Sequence, residues 1–315
     1  MIVRSRPSDL LVYYGWLNAF NSDQNGWNNE KVAQDMAKYD LLVFGDGIAN
    51  PSHGDFANSQ IIISRIKTLK PSITIFGYVQ TDLALDVFKS KVNEWNAIGA
   101  GGIFMDRAGY DFGKTRSEFN ERVVYVHSCT SSKVVFANAW NTDHVLNIIN
   151  DVNYPNSTFN INLRASKLIS SDWVLLESFP INTVAYADGY EPALDWYVRG
   201  SKILNAKVNI AGISVINNDN ANAQNLFNFG FTSAIQWDLS AFGSGDVDYG
   251  ASSAKTTFFN RDDVNLEHSL TKSTTITSPS KDLNDNDVYV LYSRFIKATV
   301  DFSSGNQTSS IKLSQ

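Results

Sequence analysis

The chain has 315 residues, 43% of them hydrophobic and 18% charged, with a formal net charge of −6. The acidic balance argues against nucleic acid and anionic membrane as partners, since both select basic patches. The length suits one barrel-sized core with a smaller appendage, and the single cysteine, Cys129, allows no intrachain disulfide and no thiolate metal cluster.

Residues 1–10 carry no apolar core of the kind a signal peptide needs, so none is expected. No run approaches the roughly 18 apolar residues that span a bilayer, so membrane insertion is not expected either. The histidines show no metal-ligand spacing and the acidic residues no D-x-D cluster, so no metal and no organic cofactor is expected.

In chain order, residues 10–16 form an apolar run rich in β-formers, followed by an Asn-rich loop and a helical pattern around Val32, Met36 and Ala37. A second strand over 41–46 leads to a helix through Ile61, Ile62 and Ile66, and a third over 73–79 to a helix through Leu85, Phe88, Val92 and Trp95. Gly101 and Gly102 open a fourth strand that ends abruptly on Asp106, with a helix near 119–127. Further strands are expected over 133–138, 173–177, 208–216 and 232–238, with helices over 145–149, over 193–204 and through Leu226 and Phe229. Eight strand–helix units predict a (β/α)8 TIM barrel over residues 1–250. Apolar runs without alternation suit strands covered on both faces. The alternative is a doubly wound open sheet, but no nucleotide-binding glycine motif supports it. From residue 251 Ser, Thr, Asn and Asp dominate, and short strands over 288–292, 296–302 and 311–313 predict a small β-rich C-terminal module over 251–315.

If the strands run parallel, their C-terminal ends form one ring, the usual place for chemistry in such barrels. Trp16, Asp46, Tyr78, Asp106, Asn138, Glu177, Asn217 and Asp238 stand at those ends. Asp106 and Glu177 each close an apolar strand and are the expected catalytic pair, because cleavage of a glycosidic bond needs two facing carboxyl groups. Asp46, Tyr78, Tyr110, Asn138 and Asp238 are expected to bind substrate hydroxyls. Trp16, Trp140 and Trp237 are expected to stack on sugar faces, and Trp27 stands in the first long loop. Arg107 is a candidate partner for a neighbouring carboxylate, and His53 reads as a turn-stabilising residue.

The segments Gly102-Ile103-Phe104-Met105-Asp106, Gly77-Tyr78-Val79 and Leu175-Leu176-Glu177-Ser178-Phe179 together resemble the spherulin-4-like and endo-α-1,4-polygalactosaminidase-like glycoside hydrolases. The resemblance covers about residues 10–240. It implies a TIM barrel that hydrolyses an amino-sugar polysaccharide, with Asp106 and Glu177 as the acid/base and nucleophile pair. The reading is therefore a glycoside hydrolase whose partner is a microbial polysaccharide or oligosaccharide. Its rivals are a glycan-binding or depolymerase virion protein such as a phage tail component, with the C-terminal module serving homo-oligomer or virion assembly, and a metal-dependent hydrolase or lyase on the same barrel.

Overall fold

A computed structural model of the chain describes residues 2–4, 6–129, 133–148, 158–183, 190–192, 206–217, 221–246, 256–260, 270–272, 280–281, 288–292, 296–301 and 308–313. Eight strands close into a barrel: β1 (Ser8–Tyr13), β2 (Leu41–Phe44), β3 (Thr74–Gln80), β4 (Gly102–Asp106), β5 (Val134–Asn138), β6 (Trp173–Leu176), β7 (Asn209–Val215) and β8 (Ala241–Gly245). Each pairs in parallel with its sequence neighbours, and β8 closes the ring on β1. This is a (β/α)8 barrel.

Alternation along the strands separates two apolar layers. Leu10, Val12, Leu41, Val43, Phe76, Phe104, Phe136, Leu175, Ala211 and Ile213 form a cluster of their own, the barrel interior. The intervening residues, such as Leu11, Leu42, Ile75, Ile103 and Val135, pack instead with Val32, Ile62, Val92 and Phe119 on the surrounding helices. Both faces of each strand are covered, which is why the strand sequences read as unbroken apolar runs. Each fully buried Leu, Ile or Phe removes enough surface from water to contribute about 1.5–3 kcal/mol.

The helices of the outer ring include α1 (Asn29–Met36), α2 (Phe56–Leu69), α3 (Leu85–Ala97), α4 (Arg116–Ser128), the short α5 (Asp143–Leu146) and α6 (Ala223–Gln236). Side chains start two of them sharply. The Asn28 carboxamide oxygen accepts from the Glu30 and Lys31 amides, and Thr115 and Glu118 form a reciprocal capping box before α4.

One expected strand is a helix. Residues 232–236 belong to α6, and the eighth strand lies further on, at Ala241–Gly245. The misreading has a physical cause. Leu226, Phe227, Phe229, Phe231, Ala234 and Ile235 are all buried, so α6 is covered nearly all round and lacks the polar stripe that marks a helical period. Part of that cover comes from a four-stranded antiparallel sheet, β9 (Ser280–Lys281), β10 (Val288–Tyr292), β11 (Ile296–Asp301) and β12 (Thr308–Leu313). Its last two strands lie against α6, and Val300 joins the helical core. The true β8, Ala-Phe-Gly-Ser-Gly, carries little β-forming character; close pairing with β1 rather than local propensity makes it a strand. The helix expected over 193–204 lies outside the described residues.

Among the described residues no helix is long and apolar enough to cross a membrane.

Candidate active site

The period-two rule that fills the barrel interior also selects which strand-end residues reach the mouth. Continuing each interior row by two residues gives Tyr14 after Val12, Tyr78 after Phe76, Asp106 after Phe104, Asn138 after Phe136 and Glu177 after Leu175. Four of these five line one cleft of about 570 Å³, together with Arg107, Asp111, Phe112 and Trp140. Beneath it the barrel is packed with aromatic rings, Phe104 meeting Phe136 edge to face at 5.3 Å and Phe76 meeting Phe136 at 5.2 Å.

Asp106, Glu177, Asn138 and Tyr78 form one hydrogen-bonded group. The Asn138 Nδ2 amide donates to Asp106 Oδ1 at 2.8 Å and to Glu177 Oε2 at 3.0 Å. The two carboxyl oxygens are therefore no further apart than the sum of those distances. The Tyr78 hydroxyl donates to Asp106 Oδ2 at 2.6 Å. Burial, and then the negative charge of Asp106, push the Tyr78 phenol well above its ordinary pKa, so it stays a donor. Because Nδ2 faces two carboxyl groups, the Asn138 amide has one admissible orientation. That orientation leaves its Oδ1, on a residue only 7% exposed, buried and without a donor.

Tyr78 is braced from outside the barrel. The Trp95 indole of α3 donates to the Tyr78 carbonyl at 3.0 Å and lies where a side chain on Gly77 would have to be. Only glycine leaves that space on β3. The residues that follow the two carboxylates share a second feature: Arg107 (φ 56°) and Ser178 (φ 57°) are both left-handed non-glycine residues. Such backbone is uncommon, and it clusters where side chains are held for function. Both turns take the chain sharply off the strand end, so each carboxylate stands at the lip of the barrel.

Five expected site residues fall outside the cleft lining and its hydrogen-bonded group. Trp237 and Asp238 follow α6 and precede β8, at the end of the barrel opposite the cleft; Trp237 is buried and Asp238 carries a left-handed backbone (φ 55°). Their place at a strand end requires residues 232–236 to be a strand, and those residues are helix. Asp46 lies one residue off the inward row of β2, where Gly45 holds the inward position, and it pairs with Lys91 of α3 at 2.7 Å. Tyr110 is near the cleft but buried, stacked on His144 at 4.3 Å and on Phe159 at 5.2 Å, so it supports the loop instead of meeting a ligand. Trp16 is half exposed on the rim, edge-on to His53 at 5.5 Å, outside the described lining of the cleft. Arg107 does line the cleft, but its ion pair is with Asp82 at 3.0 Å and its guanidinium lies over Phe112 at 4.7 Å.

Tyr14, Asp111 and Phe112 line the cleft without having been selected from the sequence. Tyr14 was legible from the row Leu10-Val12-Tyr14. Asp111 was not, since it depends on the loop fold: its carboxylate curls back over Gly109, where a side chain would overlap it, to within 3.4 Å of His144 Nδ1. No group of three or more His, Cys, Asp or Glu side chains able to hold a metal ion occurs among the described residues.

No protein-family model and no curated protein matches the chain. Among solved structures it is similar in fold to N-acetylneuraminate lyase from Mycoplasma synoviae, at 8% identity and a TM-score of 0.40 over 79% of this chain and 72% of that one. It is likewise similar to 2-keto 3-deoxygluconate aldolase from Picrophilus torridus, at 11% identity and a TM-score of 0.40 over 76% and 74%. A third is the 4-hydroxy-tetrahydrodipicolinate synthase from Methylacidiphilum fumariolicum SolV, at 12% identity and a TM-score of 0.37 over 76% and 67%. At such identities the likeness is one of barrel shape and carries no residue correspondence.

These findings correct the reading drawn from sequence resemblance. The likeness to spherulin-4-like and polygalactosaminidase-like glycoside hydrolases is not upheld, and with it go the glycosidase and phage-tail functions. No such family matches, and the solved barrels named above are synthase, lyase and aldolase structures. The motifs behind the likeness are short. A glycine-led apolar run ending on a carboxylate is what any barrel strand bearing a mouth residue looks like.

Proposed function

We propose that the cleft is the active site of an acid–base enzyme acting on a polyhydroxylated small molecule of about sugar size. The carrying observation is the Asn138 amide shared between Asp106 and Glu177, which sets two proton-accepting groups beside one reacting position. General acid–base catalysis needs such groups within hydrogen-bond reach of the same substrate. We assign the proton-accepting role to Asp106, which hydrogen bonds from Tyr78 and Asn138 hold in place, and proton exchange on the other side of the substrate to Glu177.

Several features support the substrate class. A cleft of about 570 Å³ is in the range that encloses a small ligand. Its polar lining is dominated by acceptors, the Asp106, Asp111 and Glu177 carboxyls, which suit a ligand rich in hydroxyl donors. Trp140, 54% exposed at the edge, offers a flat surface to an apolar ring face. Schiff-base chemistry would require a lysine amine; none of the eight strands carries a lysine, nor does the described lining of the cleft. The reaction class is proton transfer at a hydroxylated or carbonyl-bearing carbon.

The test is solvent-deuterium incorporation into a panel of hydroxy-carbonyl and polyol compounds, followed by NMR. Exchange should be catalysed by the native protein and fall by about a hundredfold or more in both Asp106→Asn and Glu177→Gln, with unchanged melting temperature. Equal exchange in both variants would refute the proposal.

A further inference from the structure

A second hollow, of about 510 Å³, lies on the shoulder of the barrel between α1 and α2, lined in part by Trp27, Asn29, Glu30, Asn58, Ile61 and Arg65. It belongs to the loops and helix starts that follow β1 and β2, at the same end of the barrel as the cleft but on other strands. We propose that it is a separate binding subsite for a neutral sugar ring. The inference stands on this hollow's own geometry, whether or not the cleft performs acid–base chemistry.

Its first component is Trp27. The indole is 59% exposed and the backbone left-handed (φ 58°), a conformation that costs a bulky residue free energy. Folding has no use for a strained tryptophan whose ring stays in water, whereas a flat platform for a ligand does. Ile61, 56% exposed, extends the apolar surface.

The second component is an acceptor awaiting a donor. Asp55, fully buried, accepts from Asn58 Nδ2 at 2.9 Å, which fixes the orientation of the Asn58 amide. Asn58 Oδ1 must then take a donor, and takes it from Asn29 Nδ2 at 3.0 Å. The relay thus dictates that Asn29 presents Oδ1 at its other edge, and this oxygen is buried and accepts no hydrogen bond. Buried acceptors are rarely left so. That oxygen is closed to solvent in this structure, so a ligand hydroxyl reaches it only with a small outward turn of the Asn29 side chain, which lines the hollow.

The third component is neutrality. Glu30 and Arg65 satisfy each other in a two-pronged pair of 2.7 and 2.8 Å, so the hollow offers no unmatched charge to an ion. An apolar platform, an acceptor for a hydroxyl and no net charge together describe one face and one edge of a neutral pyranose.

Maltohexaose, cellohexaose and chitohexaose are the probes, titrated into the full chain by calorimetry and by NMR of the tryptophan indole N–H signals. At least one should shift the Trp27 signal saturably. Trp27→Gly, which relieves the left-handed strain and so preserves the fold, should abolish that binding. Asn29→Ala should weaken it about tenfold, the worth of one well-placed hydrogen bond. Trp140→Ala, which alters only the cleft, should leave it unchanged. The proposal falls if no probe moves the Trp27 signal, or if the sugar binds Trp27→Gly with native affinity.

Discussion

The cleft and the shoulder hollow are built on the same plan and differ in one component. Each places a half-exposed tryptophan, Trp140 or Trp27, beside an asparagine whose amide nitrogen is committed to acceptors and whose oxygen is left undonated. In the cleft the acceptors are two carboxyl groups that themselves face the ligand space, Asp106 and Glu177. On the shoulder the acceptor is another carboxamide, Asn58, and the carboxylate behind it, Asp55, is fully buried. As proposed, each holds a hydroxylated ring. Only the first keeps proton-transferring groups in contact with it, so the account assigns chemistry to the cleft and binding alone to the shoulder.

Removing the shared component should separate the two most widely. Asn138→Leu takes a donor from both carboxylates at once, and turnover in the cleft should fall by about a hundredfold or more, while sugar binding on the shoulder is unchanged. Retained turnover would show that the amide is not what organises the pair. A smaller effect is expected from Gly77→Ala, which forces a methyl group into the Trp95 indole. Overpacking of this kind costs about 1–3 kcal/mol, and it should loosen the Tyr78 contact with Asp106 along with lowering the melting temperature. A variant as stable as the native chain would contradict the close packing of α3 on β3.

The smallest effect serves as a control that touches neither region. Burial acts to raise the Glu118 pKa, but hydrogen bonds from the Thr115 amide and hydroxyl and from Lys114 outweigh it and bring the group down to about 2. A depressed carboxyl contributes stability above its unfolded pKa, and this is lost as pH falls through the folded value. Glu118→Gln should therefore cost about 1 kcal/mol or less near neutral pH. The difference from the native chain should shrink as the pH is lowered toward 2. Denaturant unfolding across that range measures it, and a difference independent of pH would remove the capping carboxylate from the account.

Most of the barrel was legible because its strands are covered on both faces and end in loops. The strand rows were also enough to find Asp106, Asn138 and Glu177, since each extends an inward row by one more step. Reading strand ends without that parity brought in Asp46, which faces outward to Lys91, and passed over Tyr14 in favour of Trp16. Trp237 and Asp238 failed for a different reason: α6 is buried between the barrel and the β9–β12 sheet, and burial on all sides erases the helical period. Asp111 and the Asp55–Asn58–Asn29 relay were out of reach, because both depend on how loops and helix starts fold against one another.

The account rests on Asp106 and Glu177 moving protons on a single bound substrate. The most direct measurement is solvent-deuterium incorporation into that substrate, compared between the native protein and the Asp106→Asn and Glu177→Gln variants at equal occupancy of the cleft. The account predicts that both variants bind and neither exchanges appreciably. Exchange at the native rate in either variant, with the ligand bound, would contradict it.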